Sequence, residues 1–245
     1  MNIISQLFVI VNAKMCGILI LHSISELIFM NNRYDAVLFD FDGTFADTGV
    51  GIFRCIQYAV NALGKPPLSQ ETLRTFIGPP VFDSFKRELD LTDDESFFAV
   101  EKYRELYAES GIYQFEIYNG IKELFEELSA KGIKIAFASS KPKHFIERIV
   151  DYLDIVNLVS YVSGPESDKA HDDKTVLINR AIENLGVDKK RTLMVGDRHF
   201  DINGAKNAGV ESVGVTYGYG SEDELVSSGA TYIAHNTDDL RRIIF

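Results

Sequence analysis

The sequence predicts an α/β protein in which helices cover both faces of a parallel sheet and a helical insert interrupts the alternation. After Met30, short β-rich runs alternate with amphipathic segments of helical length, a pattern typical of a parallel sheet. Between residues 49 and 117 only helical pattern is found. With 245 residues, 46% of them hydrophobic, the chain can bury a substantial core.

The first thirty residues do not match this alternation. Apolar residues dominate 3–11 and 16–30, but polar residues such as Lys14 and Glu26 interrupt them. No uninterrupted run reaches the ~18 residues of a membrane span. We therefore predict that residues 1–32 form an N-terminal extension outside the fold. A misassigned start codon is one explanation, and an anchor on a membrane surface is the alternative.

The sheet and its helices are predicted from short, well-separated segments. Strands are predicted at 35–39, 133–138, 158–162, 192–195, 212–216 and 231–234. Amphipathic helices are predicted at 120–131, 143–152, 173–185 and 201–208. Residues 33–48 and 118–245 therefore make up the predicted core domain.

The insert, residues 49–117, is predicted to be a small helical domain of its own. Its helical segments are 49–63, 69–76, 81–89 and 94–108, and the turns "GKPP" and "IGPP" punctuate them. The segment 76–85, "FIGPPVFDSF", has a Gly-Pro-Pro turn that leads into a helix. We predict that this turn is the loop that contacts substrate.

Charge and cysteine content limit the partners and the compartment. The net charge is -11 and the pI is near 4.9, so the clustered Lys and Arg that a nucleic-acid polymer requires are missing. Cys16 and Cys55 show no metal-ligand spacing and are too few for a disulfide framework. A reducing, cytoplasmic setting is expected. We expect no membrane partner, and a monomer or homodimer.

Polar residues that can take part in catalysis or binding follow the predicted strands. They lie at the sheet edge where open α/β proteins bind ligands. The residues are Asp40, Asp42, Gly43 and Thr44 after the first strand, Ser139, Ser140 and Lys141 after the second, and Asp197 and Asp201 after the fourth. Lys174 opens the helix that precedes the fourth strand. These residues are therefore expected to converge on one site.

Several carboxylates at one sheet edge repel each other unless a cation lies among them, and Mg²⁺ is the economical choice. Asp40, at the strand end, is placed to attack an electrophile in line. Asp42, two residues on, is placed to donate a proton to the leaving oxygen and later to activate water. Asp197 would complete the metal site. Asp201 could hold a metal-bound water or ligand, or could equally be the N-cap of a helix.

Phosphate is the substrate group that this set of residues suits. Gly43 permits close backbone approach, and amides around its turn could surround phosphate oxygens. Ser139 can hydrogen-bond a phosphoryl oxygen, and Lys174 can neutralise charge there. Thr44 and Ser140 are predicted to bind substrate beside them. Lys141 is predicted to lie near the phosphate, with a solvated loop lysine as the alternative.

The motifs "DFDGT", "ASSK", Lys174 and "GDRHFD", in this order, resemble those of the haloacid dehalogenase superfamily. The resemblance covers about residue 34 to the C-terminus, and the insert looks like the C1 cap of the phosphoglycolate phosphatase-like branch. It implies a Rossmann-like core and a phosphohydrolase that forms an aspartyl-phosphate on Asp40. It also implies Mg²⁺ held by Asp40, the Asp42 main-chain carbonyl and Asp197. Phe45 stands where the family usually has Leu, and Lys169 is an alternative to Lys174.

The substrate implied is a small phosphorylated metabolite, and phosphoglycolate is the leading candidate. A 5'-nucleotidase is the nearest competitor and a pyrophosphatase the third, because the cap sets this choice. A phosphomutase is less consistent with the sequence. A binding module on a decayed hydrolase scaffold is the alternative from another class, and the intact Asp40, Asp42, Lys174 and Asp197 argue against it.

Overall fold

The fold is known from a computed structural model that describes residues 32–166 and 172–245. Nearly all of the predicted N-terminal extension, together with Cys16 and Lys169, lies outside the described residues. Six strands form a sheet in the order β5-β4-β1-β6-β7-β8, and every neighbouring pair is parallel. The predicted α/β class with a parallel sheet is therefore confirmed.

The strands are β1 (Ala36–Phe39), β2 (Ala46–Asp47), β3 (Glu116–Ile117), β4 (Lys134–Ala138), β5 (Tyr161–Ser163), β6 (Thr192–Gly196), β7 (Glu211–Val215) and β8 (Tyr232–Ala234). The helices are α1 (Gly49–Ala62), α2 (Gln70–Arg74), α3 (Val81–Leu89), α4 (Asp93–Glu109), α5 (Ile121–Ala130), α6 (Lys143–Tyr152), α7 (Lys174–Leu185), α8 (His199–Ala208), α9 (Glu222–Ser228) and α10 (Thr237–Ile244).

The centre of the sheet is β1, which is buried along its whole length and pairs with β4 and β6. Burial on both faces explains its uninterrupted apolar sequence. Side chains alternate along it, so that Val37 and Phe39 pack into one core cluster and Ala36 and Leu38 into the other. Because β1 is held on both sides, the position of Asp40 at the carboxyl edge of the sheet is well fixed.

Two of the predicted segments differ from the structure. The strand predicted at 158–162 begins only at Tyr161, because the amides of Leu158 and Val159 bond back to the Ile155 carbonyl in a turn after α6. The insert, predicted to be all helical, contains β3, which pairs antiparallel with β2 at the base of the insert. A two-residue strand is too short to show an alternating pattern.

The insert, residues 49–117, is called the cap below. Its α1 and α4 pack against each other, and α4 begins with a capping box in which Thr92 and Glu95 exchange side-chain and backbone hydrogen bonds. Residues of α1 such as Ile52 and Ile56 belong to the same buried cluster as Phe39 of the sheet. In the part of the chain that is described, no helix combines the length and apolar character needed to cross a membrane.

Candidate active site

The site begins at the turn that follows β1. The Asp40 amide donates to the Val195 carbonyl at 2.9 Å, which fixes the residue to the neighbouring strand. The chain then turns tightly, and the Phe41 carbonyl accepts from the amides of Phe45 and Ala46. Gly43 has φ +87, and a Cβ on it would lie 2.2 Å from Asp197 Oδ2. Glycine is therefore required here for both conformation and space.

Three buried carboxylates converge at this edge, from Asp40, Asp197 and Asp201, and we call them the acid cluster. One oxygen from each lies within 4.8 Å of the others. Lys174, at the start of α7, places its Nζ 3.0 Å from Asp40 Oδ1 and 2.8 Å from Asp201 Oδ1. The lysine is buried as well and also donates to the Ala138 carbonyl at 3.1 Å.

The acid cluster carries more negative charge than Lys174 balances. Burial, together with the carboxylates of Asp201 and Asp40, raises the pKa of Asp197 well above its usual range. Burial raises the pKa of Asp201 to about 6, although Lys174 opposes the change. Burial alone would lower the pKa of Lys174, but the carboxylates of Asp201 and Asp40 raise it. Three carboxylates that converge without enough positive charge to balance them are suited to bind a hard divalent cation.

Asp42 was predicted to be both acid/base and metal ligand, and its side chain does not join the acid cluster. Its Oδ1 accepts from the Thr48 hydroxyl at 2.7 Å. Lys141 Nζ donates to both Asp42 oxygens, at 2.7 and 2.8 Å. The carboxylate is therefore held apart from the other three. Metal binding through its main-chain carbonyl stays a prediction.

Lys141 is buried, with 5% of its side chain exposed, so the alternative of a solvated loop lysine is wrong. Besides Asp42, its ammonium lies 5.4 Å from the centre of the Phe41 ring and 5.1 Å from that of Tyr107 in the cap. Such aromatic contacts stabilise a cation that is removed from water. Lys141 thus joins the β1 turn, the β4 turn and the cap at one point.

The other predicted substrate residues lie in two places. Ser139 is buried, lines the pocket and accepts a hydrogen bond from the Lys141 amide at 3.3 Å, and Ser140 also lines the pocket. Thr44 is fully buried and donates to Asp197 Oδ1 at 3.2 Å. The structure therefore places Thr44 against the acid cluster, outside the pocket lining.

Of the two positions weighed for Asp201, the N-cap of α8 is wrong, because Arg198 is the N-cap and Asp201 is the third residue of the helix. Asp201 lies in the acid cluster, and it also accepts from the Arg198 amide at 3.1 Å, as a residue in the first turn of α8 can. Gly196 makes room for it, because a Cβ on that glycine would lie 2.2 Å from Asp201 Cβ. The helix start thus helps to hold the third carboxylate in the cluster.

Sequence reasoning missed Thr48 and the segment that follows β7. The Tyr219 amide donates to Asp197 Oδ2 at 2.8 Å, and its hydroxyl donates to Asp47 and accepts from the Gly49 amide at 2.8 Å. The signal available was the run "TYGYG" directly after a predicted strand. Its Gly218 approaches so closely that a Cβ would lie 2.3 Å from the Gly43 carbonyl.

A pocket of about 110 Å³ lies over Asp40 and Asp42, between the sheet edge and the cap. The predicted loop contributes its first part, because Phe76–Val81 line the pocket while Phe85 is buried elsewhere in the cap core. The remaining lining residues are Ile52, Tyr103, Arg104, Tyr107, Ser139, Ser140, Lys141, Pro142, Phe145, Pro165 and Asp172. Three carboxylates, those of Asp40, Asp42 and Asp172, thus line a pocket whose other walls are largely apolar and can contact an organic group.

The chain resembles known proteins of one family over most of its length. The family model described as "Haloacid dehalogenase-like hydrolase" matches residues 37–215. A 5'-nucleotidase of Pseudomonas aeruginosa is 34% identical over 212 residues, covering 86% of this chain and 96% of that protein. A phosphoglycolate phosphatase of Vibrio parahaemolyticus is 31% identical over 216 residues, covering 85% and 95%. A putative phosphatase of Clostridium difficile has a solved structure with a TM-score of 0.79 and 41% identity, covering 86% and 99%.

These matches confirm the resemblance drawn from the four motifs and, with it, the predicted class of enzyme, a phosphoric monoester hydrolase. The match covers β1, β4 and β6, the strands that carry the acid cluster and the β4 turn. The chain belongs to the haloacid dehalogenase-like hydrolase family.

Proposed function

We propose that this enzyme is a Mg²⁺-dependent phosphatase that hydrolyses a small phosphate monoester through an aspartyl-phosphate on Asp40. The observation that carries the proposal is the separation of two carboxylates two residues apart. Asp40 lies in the acid cluster beside Lys174, whereas Asp42 lies outside it, bound to Lys141 and Thr48. This separation supports assigning attack to Asp40 and proton transfer to Asp42.

In the first step an oxygen of Asp40 attacks phosphorus and the bond from phosphorus to the leaving oxygen breaks. Asp42 enters this step protonated and gives its proton to that oxygen, so that a neutral alcohol leaves and Asp42 becomes the carboxylate that Lys141 and Thr48 hold. The hydrogen bond from Lys174 Nζ to Asp40 Oδ1 restricts rotation of the Asp40 carboxylate. We expect Ser139, which lines the pocket, to bind a phosphoryl oxygen. The amides of residues 43–46, which the sequence suggested for the same role, donate instead to the carbonyls of Phe41 and Ala46.

In the second step Asp42 takes a proton from water, the water oxygen attacks the phosphorus of the aspartyl-phosphate, and the bond to Asp40 breaks. Inorganic phosphate and the original carboxylate result. Mg²⁺, held by Asp40, the Asp42 main-chain carbonyl and Asp197, would supply the positive charge that lets an anionic phosphate approach an ionised Asp40. Asp201 contributes by keeping Lys174 in place and by adding a third carboxylate to the cluster.

The pocket under the cap would hold the leaving group. Phosphoglycolate is the substrate we put first, as the sequence suggested, and a nucleoside 5'-monophosphate is second, because relatives of both names resemble the chain at 31% and 34% identity. Pyrophosphate is third. The intact set of Asp40, Asp42, Lys174 and Asp197 continues to argue against a non-catalytic binding module. A cytoplasmic location and a monomeric or homodimeric state also stay predictions.

Phosphate release from phosphoglycolate, nucleoside monophosphates, sugar phosphates and pyrophosphate, with Mg²⁺ or EDTA, tests the proposal. Turnover should require Mg²⁺ and vanish in Asp40→Asn. The matched control is Asp35→Asn, which changes an aspartate at the opposite end of β1, where it pairs with Arg191. Equal loss in both variants, or turnover in EDTA, would contradict the mechanism, and the order of kcat/KM identifies the substrate class.

A further inference from the structure

The loop that carries Asp197 also makes a direct contact with the cap, through Arg198. This residue lies between a member of the acid cluster and the start of α8, and 18% of its side chain is exposed. Its Nη1 donates to the Ile77 carbonyl at 2.7 Å. Its Nε donates to Glu224 Oε1 at 3.0 Å. One guanidinium thus bridges the cap to a helix of the core.

The core end of this bridge is rigidly held. Glu224 lies in the first turn of α9, where its own amide is capped by the Ser221 hydroxyl. The same Glu224 oxygen that binds Arg198 also accepts from the His199 amide at 2.9 Å and lies 2.6 Å from His199 Nδ1. Because α9 and the start of α8 hold this carboxylate together, the direction of the Arg198 side chain is fixed from the core.

The cap end of the bridge is the wall of the pocket. Ile77 is followed by Gly78, Pro79 and Pro80, and all four residues line the pocket over Asp40. The two prolines have no N–H with which to fix the loop by backbone hydrogen bonds. Gly78 has φ +103, and a Cβ on it would lie 3.4 Å from Arg198 Nη1. The arginine therefore packs along the outer side of the wall and holds one of its carbonyls.

We propose that Arg198 is a positioning residue that holds the wall formed by Ile77, Gly78, Pro79 and Pro80 over the pocket and thereby sets how tightly the enzyme binds the leaving group of its substrate. The inference rests on the proposed phosphatase function and deepens it. Arg198 acts through the loop and does not touch the reacting atoms. Its planar fork reaches two acceptors at once, which a lysine ammonium at the end of a flexible stem does not reproduce.

The test compares Arg198→Lys with Arg191→Lys. Arg191 is a matched control because it also donates to one carboxylate, that of Asp35, and to one carbonyl, that of Asn32, but far from the pocket. Two substrates are used, para-nitrophenyl phosphate with a bulky leaving group and acetyl phosphate with a small one. Arg198→Lys should raise KM about tenfold for the bulky substrate, with kcat within about threefold, because one charge-assisted hydrogen bond to the wall is lost. KM for acetyl phosphate, and all constants of Arg191→Lys, should stay within about twofold.

Glu224→Gln is a second variant. It leaves the hydrogen bond from Arg198 to the Ile77 carbonyl in place but weakens the contact that holds Arg198 from the core. It should raise KM for the bulky substrate in the same direction by a smaller factor. A kcat loss in Arg198→Lys that is equal for both substrates, with KM unchanged, would overturn the proposal. Loss of the thermal shift induced by Mg²⁺ in that variant would overturn it too, because Arg198 would then act on the acid cluster.

Hydrogen exchange separates this inference from the proposed function. Peptides that cover residues 76–85 should exchange faster in Arg198→Lys than in Arg191→Lys, whether or not the enzyme turns over either substrate. Absence of turnover in the wild-type protein, with faster exchange in the variant, would refute the phosphatase on these substrates but leave the contact to the wall established. Unchanged exchange together with unchanged KM would refute the role of Arg198 itself.

Discussion

Replacement of Lys174 by Met removes the only ammonium that lies against the acid cluster among the described residues. Lys174 is 6% exposed, and its Nζ is within 3.0 Å of both Asp40 and Asp201. Methionine fills a similar volume, so the main change is the loss of charge. Removal of one partner of a buried ion pair costs about 3 to 5 kcal/mol, because the remaining charge stays desolvated. In EDTA, Lys174→Met should therefore lose this much free energy of unfolding.

For a chain of this size, 1 kcal/mol corresponds to about 2 to 4 °C in Tm, so the expected fall is roughly 6 to 20 °C. Urea unfolding and calorimetry in EDTA measure it. Mg²⁺ should restore part of the loss, because a bound cation replaces some of the missing charge. Catalytic turnover should not return, because the Asp40 carboxylate has lost the group that orients it.

The control is Lys143→Met, which removes an exposed pair with Glu166 at 3.2 Å and should cost less than about 1 kcal/mol. A Lys174→Met protein as stable as this control in EDTA would refute the reasoning. It would show that the acid cluster is protonated or hydrated enough to need no counter-charge from the chain.

Three further predictions concern the same site. Gly43→Ala should abolish both turnover and the Mg²⁺-induced thermal shift, because its Cβ would displace the Asp197 carboxylate. The control is Gly186→Ala, at φ +63 with open space around it, which should lose only about 1–2 kcal/mol to backbone strain. Lys141→Met should lower kcat about 100-fold with the Mg²⁺ shift intact, because Asp42 loses two hydrogen bonds; a kcat within threefold of wild type would contradict this. The Mg²⁺-induced rise in Tm should shrink as the pH falls through about 6, because burial raises the pKa of Asp201 to about 6 and its protonation removes one of the negative charges that attract the cation. In EDTA the free energy of unfolding should change with pH in the opposite direction. The stability that the raised pKa of Asp201 contributes is present below about pH 4 and is lost as the pH rises to 6. Unfolding measured across this pH range, with Asp201→Asn as control, tests the expectation.

The sheet was readable from the sequence because its strands are buried on both faces. The run of residues 36–39 has no polar position, and the polar turn that follows marks its end. The strand order was not readable in the same way. It depends on which apolar faces meet after the chain has crossed the sheet, and β1, for example, pairs with strands about 100 and 160 residues further on.

Part of the candidate site could also be predicted from the sequence, because the carboxyl ends of parallel strands meet at one edge. The positions of Asp40 and Asp197 followed from that rule, whereas Lys174 begins a helix and was predicted from its place before the fourth strand and from the resemblance to the family's third motif. What could not be read is how each carboxylate is partnered. The contact between Asp42 and Lys141 spans 99 residues, and that between Tyr219 and Asp197 joins the turns after two different strands. Such contacts leave no periodic trace in a single sequence.

The partners of Asp42 have a consequence for how the cap and the chemistry are connected. The chain enters the cap through Asp47, Thr48 and Gly49, and Thr48 donates to the Asp42 carboxylate at 2.7 Å. On the other side of this segment, the Tyr219 hydroxyl bonds Asp47 and accepts from the Gly49 amide. A rotation of α1 about this entry must therefore break the bond from Thr48 or carry the Asp42 carboxylate with it.

Lys141 opposes the second outcome, because it binds both Asp42 oxygens from the β4 turn of the core. Opening of the cap would also separate Lys141 from the Tyr107 ring that lies 5.1 Å from its ammonium. The ion pair would then stay with the core while Thr48 leaves with the cap. In the proposed mechanism, Asp42 would thus keep Lys141 as its partner when the cap opens but would have its full set of hydrogen bonds only in the arrangement described here. We therefore predict that efficient proton transfer is restricted to the state in which the pocket encloses the substrate.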